Sequence, residues 1–210
     1  MAETQKFLFR GVEGLVYAKV EQDDATTYKA GTVTELAPVA EIAKSTETSS
    51  EAKYYDNLPL VTVTSEGADT ITITCAPPTL KVLAEITGRT YDAEKGCMIE
   101  GIHIPTYFAI GYKTKGTDGK YRYVWRYKGQ FTIPEETYAT ENAGTDTNDI
   151  TLTYTGIATT HKFGAENAAD KDKIRVKSMV VDEREGNADL SKFFDTVVQP
   201  YTLTATTTTT

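Results

Sequence analysis

Apolar and polar residues alternate along several stretches of the chain, with the period of two that is typical of half-buried β-strands. The clearest example is a hairpin over residues 106–128, where Phe108, Ile110 and Tyr112 alternate along the first strand. The second strand carries an alternating aromatic row made of Tyr121, Tyr123, Trp125 and Tyr127. This pattern predicts that the chain is built around a β-sheet.

Weaker alternation predicts further strands at residues 12–20, 32–36, 60–64, 70–75, 150–157 and 174–181. The stretches 60–64 and 70–75 are predicted to form a second hairpin, because Gly67 lies in the short link between them. Threonines occupy alternate positions in both, which predicts a hydroxyl-lined, uncharged surface on one face. A total of roughly seven to nine strands fits a sandwich or a barrel.

One helix is predicted over residues 79–88. Thr79 is a suitable N-cap, Leu80, Leu83 and Ile86 form an apolar stripe, and Gly88 stands where a helix commonly ends. A second, brief helix is predicted over residues 190–198, with Phe193, Phe194 and Val197 facing inward.

A long polar segment, residues 37–57, interrupts the strand pattern and has no period of its own. It predicts a long inter-strand loop with a function, because compact domains rarely contain structureless loops of this length. Residues 1–11 are predicted to be an N-terminal arm, 12–200 a single β domain, and 201–210 a Thr-rich C-terminal tail. The expected fold class is mainly β, sandwich- or barrel-like, with one flanking α-helix.

Composition and charge narrow the classes of protein. The chain has 210 residues, a net charge of −8 and no apolar run long enough to span a membrane. Its acidity disfavours wrapping around nucleic acid, because phosphate backbones are also negative. No export signal is visible at the N-terminus, so Cys75 and Cys97 are expected to be reduced thiols.

No pattern of catalytic or metal-binding residues stands out. His103 and His161 are the only histidines and form no HExxH motif, and no serine lies in a GxSxG elbow. Residues 111–116 have P-loop spacing without the Lys-Ser/Thr that follows it, and a calcium-loop-like start at residue 170 lacks the required glycine. We therefore expect no catalytic residue, no cofactor and no metal.

The hairpin over residues 106–128 is markedly basic for an acidic chain. It contains one acid, Asp118, and six cations: Lys113, Lys115, Lys120, Arg122, Arg126 and Lys128. Three interpretations are open: an intersubunit seam formed by charge complementarity with another copy, a plain solvated face, or nucleic-acid binding with the aromatic row stacked on bases. The seam is the most economical of the three.

Taken together, the segments resemble the major tail protein (tail tube protein) family of long, non-contractile-tailed phages. The resemblance lies in the polar loop AEIAKSTETSSEAKYYDN, the capped helix TLKVLAEITG, the hairpin PTYFAIGYKTKGTDGKYRYVWRYKGQF and the late motif TNDITLTYTGIA, in that order. It covers residues 11–200, nearly the whole predicted domain.

The resemblance implies a β-sandwich-like subunit that forms hexameric rings, and rings that stack into a hollow tube through which DNA passes without specific binding. The basic hairpin would form the seam between subunits. The long loop would reach a neighbouring ring through Pro38, Glu41, Tyr54, Tyr55, Asp56 and Asn57. Implied partners are further copies of the chain and the tape measure, tail terminator and distal tail proteins, with no membrane. The implied location is the virion tail, after synthesis in the host bacterial cytoplasm.

Other classes of protein stay open. A tube subunit of a phage-tail-like bacteriocin or of a secretion system would share the architecture. A non-viral β-sandwich adhesin or binding module would share the strand pattern. The sequence leaves open which sheet face would line a lumen, and the threonine-rich residues 60–75 are the expected lining.

Overall fold

The structure is a computed structural model that describes residues 7–55, 57–135, 149–165, 169 and 172–205. Within these ranges the chain is mainly β, and its antiparallel sheet is consistent with a β-sandwich-like fold, as the alternation predicts. The elements in chain order are β1 (Phe9–Asp23), β2 (Tyr28–Ala30), β3 (Thr34–Glu35), β4 (Val39–Tyr55), β5 (Leu58–Cys75), α1 (Leu80–Ile86), β6 (Thr90–Asp92), β7 (Cys97–Ile99), β8 (Phe108–Gly116), β9 (Tyr121–Phe131), β10 (Ile150–Gly156) and β11 (Ser178–Asp182).

Nine of these strands form one sheet, in which the main path runs β2-β1-β8-β9-β10-β5-β4. β3 pairs with β1, and β11 and β10 share one edge of β9, with β11 at residues 122–126 and β10 at residues 129–131. β6 and β7 form a separate small hairpin that contacts α1. The β8–β9 hairpin, the strongest prediction from the sequence, is confirmed.

The main core lies on one face of the sheet, and α1 covers part of it. Ile71 and Ile73 of β5, Phe108 of β8 and Tyr154 of β10 are fully buried there. The Tyr154 hydroxyl donates a hydrogen bond of 2.8 Å to the Phe108 carbonyl oxygen, so the one polar atom of this ring is satisfied. Each fully buried Ile or Phe side chain contributes about 1.5–3 kcal/mol relative to exposure.

A second core covers the opposite face of β8 and β9 and includes Tyr28, Phe163 and Phe193. Trp125 and Tyr127 are fully buried in it. The Trp125 indole donates a hydrogen bond of 2.9 Å to the Phe193 carbonyl oxygen. Because β9 has buried side chains on both faces, it is the central strand of the molecule.

The first predicted helix is confirmed as α1. The Thr79 side chain accepts the hydrogen bond from the Val82 backbone N–H, and Gly88 follows the helix with φ +64°. The predicted apolar stripe is wrong at Leu80, which is 48% exposed. Leu83 and Ile86 are buried as predicted, and Val82 and Ala84 are buried with them.

The predicted long loop at residues 37–57 is wrong, because residues 39–55 of this segment form the strand β4. β4 pairs with β5 along its whole length, from Val39 opposite Cys75 to Tyr55 opposite Leu58. The strand has no alternation because most of it buries neither face, so no hydrophobic period is needed to hold it. The predicted turn at Gly67 is also wrong, since β5 continues through that residue.

Three smaller predictions are corrected. Residues 9–11 of the predicted arm belong to β1, where Gly11 pairs with Lys115 of β8. The helix predicted at residues 190–198 is absent: residues 191–197 form successive turns, and Phe193 and Phe194 both pack onto Trp125. The predicted strand at residues 174–181 is shorter and begins at Ser178. Residues 1–6 of the arm and 206–210 of the tail lie outside the described residues.

Candidate self-association surface

The outer half of the β4–β5 hairpin extends beyond the sheet as a two-stranded ribbon. We call residues 47–55 and 58–66 the distal ribbon. Apart from the half-buried Ala52, every residue of the distal ribbon is exposed, and no third strand within the described ranges pairs with either of its edges. An isolated two-stranded ribbon is marginally stable at best in water. This part of the fold therefore lacks the packing that a monomer needs.

The pairing register gives the distal ribbon two different faces. Val61 lies opposite Lys53 and Val63 lies opposite Glu51, and directly opposed residues share a face. The Ser49 and Ser65 hydroxyl oxygens, 2.7 Å apart, continue this valine face. The other face carries Glu66 beside the foot and otherwise small or hydroxyl side chains, namely Thr48, Ser50, Ala52, Thr62 and Thr64.

Large apolar side chains are concentrated near the tip of the distal ribbon. Tyr54, Tyr55, Leu58 and Leu60 are between 61% and 69% exposed. Monomeric soluble proteins rarely expose a contiguous apolar patch of this kind unless it binds something. Tyrosine is also enriched among the residues that dominate the energetics of protein–protein interfaces. The tip therefore has the composition of an interface.

A buried charge cluster fastens the foot of the distal ribbon. Asp69, whose side chain is 3% exposed, accepts a hydrogen bond from the Thr46 hydroxyl at 2.9 Å. Its carboxylate lies 3.1 Å from Arg126 Nη1, 3.2 Å from Lys44 Nζ and 3.5 Å from Lys177 Nζ. The cluster joins β4, β5, β9 and the chain before β11 at a single point.

Burial acts to raise the pKa of Asp69, but the hydrogen bonds from Thr46 and Lys44 and the charges of Lys44 and Lys177 outweigh burial and lower it. The carboxylate is therefore ionised in the folded protein. The Arg126 guanidinium is held from its other side by the Tyr112 hydroxyl, at 3.2 Å.

The same foot contains a β-bulge in β5. Thr46 pairs with Asp69, whereas Thr48, two residues further along β4, pairs with Glu66, three residues away from Asp69. Lys177 contacts both sides of this bulge, because its ammonium lies 2.7 Å from the Glu66 carboxylate and also donates to the Gly67 carbonyl oxygen. The direction in which the distal ribbon leaves the sheet is thus set by side chains of the body.

The sheet next to the ribbon carries a hydroxyl surface on the side away from the main core. Six threonines face each other as three cross-strand pairs between β5 and β10, which we call the hydroxyl face: Thr70–Thr155, Thr72–Thr153 and Thr74–Thr151. They alternate with Ile71, Ile73, Leu152 and Tyr154, which are buried. The prediction of an uncharged hydroxyl-lined surface is therefore confirmed for this part of β5.

The six cations of the basic hairpin are not free for a seam as a set. Within the described residues, four have partners in their own subunit, namely Lys113 with Glu13, Arg122 with Asp182, Arg126 with Asp69 and Lys128 with Asp23. Lys115 lies over the Tyr121 ring, with Nζ 5.4 Å from its centroid, and Lys120 is exposed. The excess positive charge is largely neutralised by acids that lie far away in the sequence.

Arg126 and Lys128 are also too buried to contact another molecule directly. Their side chains are 8% and 11% exposed, and that of Asp23 is 4% exposed. Burial acts to raise the pKa of Asp23, but hydrogen bonds from Lys128 and from the Thr160 and His161 backbone N–H groups lower it overall. These two cations therefore stabilise the fold. Only the more exposed cations of the hairpin can take part in a seam between subunits.

The aromatic row does not provide a stacking platform for bases. Trp125 and Tyr127 are fully buried, and Tyr123 packs between Phe193 and Phe194 with centroid distances of 5.3 and 5.7 Å. A base could not reach these rings without unfolding the second core. The nucleic-acid interpretation of this hairpin is therefore wrong.

The residues predicted for the inter-ring contact are spread along the hairpin. Tyr54, Tyr55 and Asn57 meet at the tip, where Asn57 has φ +65°. Pro38 and Glu41 are exposed at the opposite end, about 50 Å from the tip by the rise of an extended strand. They do not form one site. Asp56 lies outside the described residues.

Sequence reasoning missed Leu58, Val61 and Val63 as surface residues. Their apolar character predicts burial, and the signal that they are exposed would have been the polarity of the partner strand β4, whose facing residues are Lys53 and Glu51. A strand opposite a fully polar strand has no core to face.

Within the described ranges, no group of three or more His, Cys, Asp or Glu side chains is placed to hold a metal ion. Burial, together with the nearby Asp149 charge, raises the pKa of the Cys75 thiol to about 11, which makes Cys75 an unreactive core residue. Cys97 is a free, half-buried thiol. In the part of the chain that is described, no helix is long and apolar enough to cross a membrane.

No protein-family model matches the chain, and none of the curated proteins matches it.

Proposed function

We propose that this protein is a structural subunit that self-assembles into rings, which the resemblance to the phage major tail protein family implies are hexameric. The rings stack into a hollow tube for DNA. The observation that carries the proposal is the distal ribbon, which exposes its tyrosines, leucines and valines on a scaffold held rigidly at its foot. A second copy of the chain is the partner that such a projecting ribbon fits best.

The energetics favour assembly through the ribbon. Each copy carries a net charge of −8, so copies repel each other unless local contacts outweigh the repulsion. Burying one large aliphatic side chain contributes about 1.5–3 kcal/mol. Covering the half-exposed Val61 and Val63 and the tip residues in every copy would supply several such contributions per contact. The backbone groups along the free edge of β4 are available for pairing with a further strand.

The hydroxyl face is our proposed lining of the lumen. Six threonines offer short, uncharged side chains, and a wall without cations gives DNA phosphates no charge to bind. The acidity of the chain as a whole adds weak repulsion. DNA would therefore pass without specific binding, and the role would be architectural, with no cofactor and no catalysis.

By the same resemblance, the tape measure, tail terminator and distal tail proteins are proposed as further partners, and the virion tail as the location. A phage-tail-like bacteriocin or a secretion-system tube would use the same assembly. A β-sandwich adhesin would instead act as a monomer that binds a foreign ligand.

The first test is the state of the purified full-length protein, measured by sedimentation and by negative-stain electron microscopy over a range of concentrations. We expect rings and tubes, or tubes once an initiating tail protein is added. A monodisperse monomer at every concentration, with and without an initiator, would contradict the proposal.

The second test removes the distal ribbon and the bulge but keeps the Asp69 cluster with Thr46, Lys44 and Arg126. Residues 47–68 are replaced by Asn-Gly, a two-residue hairpin turn, which joins Thr46 directly to its pairing partner Asp69. We expect a folded protein that no longer forms tubes. The matched control is Val180→Thr, which changes an exposed valine of β11 and should leave assembly unaffected. Normal tubes from the shortened protein would remove the ribbon from the assembly mechanism.

A further inference from the structure

A second exposed apolar surface lies far along the chain from the distal ribbon. Ile99, at the end of β7, and Ile102 and Ile104, in the loop that follows, are 55%, 91% and 65% exposed. We call these three residues the isoleucine ledge. Three β-branched apolar side chains within six residues, all facing solvent, are unusual in a segment that carries no other obvious role.

The loop of the isoleucine ledge is held in place by its polar residues. The His103 side chain, between the two loop isoleucines, is half-buried and its Nδ1 contacts the Thr87 carbonyl oxygen at the end of α1. Glu100 forms an ion pair with Arg89. The histidine therefore faces the body while the isoleucines on both sides of it face outward, which is the reverse of a core pattern. Because these contacts fix the loop, the exposure of the isoleucines is a built feature of the surface.

We infer that the isoleucine ledge is the docking surface for the distal ribbon of a second copy. This inference rests on the proposed function and names the partner surface of the same ribbon. The contact is heterologous, since the ribbon of one copy meets the ledge of the next, and a heterologous contact propagates into a ring or a stack.

The surface area that each contact would bury favours docking of the ribbon on the body of another copy over contact between two ribbons. The strand rise and the width of two strands give the distal ribbon a length of about 30 Å and a face of roughly 300 Å². Two ribbons placed face to face would bury less than half of the roughly 800 Å² per partner found in stable interfaces. A ribbon laid on the body of another copy buries its valine face, its edges and its tyrosine rings together, which brings the contact closer to that size.

Beside the isoleucine ledge lie a groove that could accept a tyrosine side chain and a lysine that could pair with a carboxylate of the distal ribbon. A groove of about 360 Å³ lies beside Ile104, between α1 and β1, and its lining includes the charged residues Lys19, Glu85 and Arg89. Glu85 accepts a hydrogen bond of 2.8 Å from the Tyr17 hydroxyl, and Arg89 pairs with Glu100. Lys19 is exposed and has no ion-pair partner among the described residues. The valine face of the ribbon carries Glu51 as well as Lys53. The groove can accept Tyr54 or Tyr55 while Lys19 approaches the carboxylate of the ribbon.

The test is site-directed disulfide formation between two differently sized versions of the full chain, both with Cys97→Ser to remove the half-buried native thiol. One version carries Ile102→Cys and the other Val63→Cys, and they are mixed, allowed to assemble and mildly oxidised. The matched control replaces Val63→Cys by Val180→Cys, because these valines are 52% and 53% exposed. We expect mixed dimers from Val63→Cys with Ile102→Cys in about tenfold excess over the control pair, since docking raises the local concentration of the two thiols.

A second measurement uses Ile102→Ser, which alters a side chain that is 91% exposed and should leave the unfolding midpoint unchanged. Loss of this buried contact should raise the concentration needed for assembly about 10- to 100-fold. Tubes that assemble normally in both experiments, without excess cross-linking and without a concentration shift, would overturn the ledge and leave the proposed function intact. Failure of the unmodified chain to assemble would overturn the proposed function, and the ledge with it.

Discussion

Replacing Asp69 by Asn tests whether the charge cluster holds the foot of the distal ribbon. The substitution keeps the size of the side chain and one acceptor oxygen, but it removes the negative charge that faces Lys44, Arg126 and Lys177. Arg126 is then left buried without a counter-charge, although the Tyr112 hydroxyl still accepts from its Nη2, and its Nε already has no hydrogen-bond partner.

The size of the effect follows from the burial of each partner. Breaking a buried ion pair by removing one member costs about 3–5 kcal/mol, because the other charge stays desolvated. Here that cost applies to Arg126, whose side chain is 8% exposed, whereas Lys44 and Lys177, at 38% and 22%, can rehydrate. We therefore expect a loss near the lower limit, about 3 kcal/mol, or roughly 6–12 °C in melting temperature for a chain of this size.

The assay is chemical and thermal unfolding of the unassembled protein, with hydrogen exchange of β4 and β5 measured in parallel. Glu51→Gln is the control, because Glu51 pairs with Lys53 on the exposed ribbon and such surface pairs contribute less than about 1 kcal/mol. Adding Arg126→Met to Asp69→Asn should recover part of the loss, since an apolar side chain needs no counter-charge. If Asp69→Asn costs no more than Glu51→Gln, the cluster does not stabilise the foot and the reasoning fails.

Three further predictions concern the body of the fold. The pKa of Asp69 is lowered in the folded state, so the stability that its carboxylate provides should be present above the ordinary pKa of 3.8 and lost as the pH falls below that value. As the pH is lowered, the free energy of unfolding should therefore fall less steeply in Asp69→Asn than in the unmodified protein. Equal slopes would contradict this. Gly88→Ala should destabilise the protein by clearly more than Gly96→Ala. Both glycines have φ near +65°, but a Cβ at residue 88 would clash with the Ile104 carbonyl oxygen, whereas a Cβ at residue 96 would have no atom within 4 Å. Equal melting temperatures of the two variants would refute the clash. Trp125→Ala should cost about 3–5 kcal/mol in unfolding free energy, and a loss under about 1 kcal/mol would show that the second core is not closely packed.

The accuracy of the sequence predictions depended on whether an element buries a face. β8 and β9 could be predicted because Phe108, Ile110 and Trp125 are fully buried and impose the period of two on their neighbours. The N-cap at Thr79 and the glycine at residue 88 marked α1 through local backbone chemistry. β4 could not be recognised, since a strand with two solvent-exposed faces has no hydrophobic period.

The candidate site was predictable only where a local sequence pattern marks it. Tyr54 and Tyr55 stood out as aromatic residues in a polar segment, and they do lie at the exposed tip. The internal partners of Arg126 and Lys128 could not be found from the sequence, because Asp69 and Asp23 are 57 and 105 residues away. Long-range ion pairs leave no local pattern.

The bulge between Glu66 and Asp69 determines which chemistry each side of the projecting hairpin presents. The extra residue reverses the alternation of β5, so Val61 and Val63 point to the side opposite Ile71 and Ile73 although all four residues are odd-numbered. Inserting one residue into β4 between Thr46 and Thr48 would remove the bulge by giving both strands the same number of residues, and it would exchange the two surfaces of the hairpin over its whole outer length. A change in the number of residues at this point would therefore alter partner recognition more than most substitutions, while leaving composition, charge and the buried body of the molecule nearly untouched.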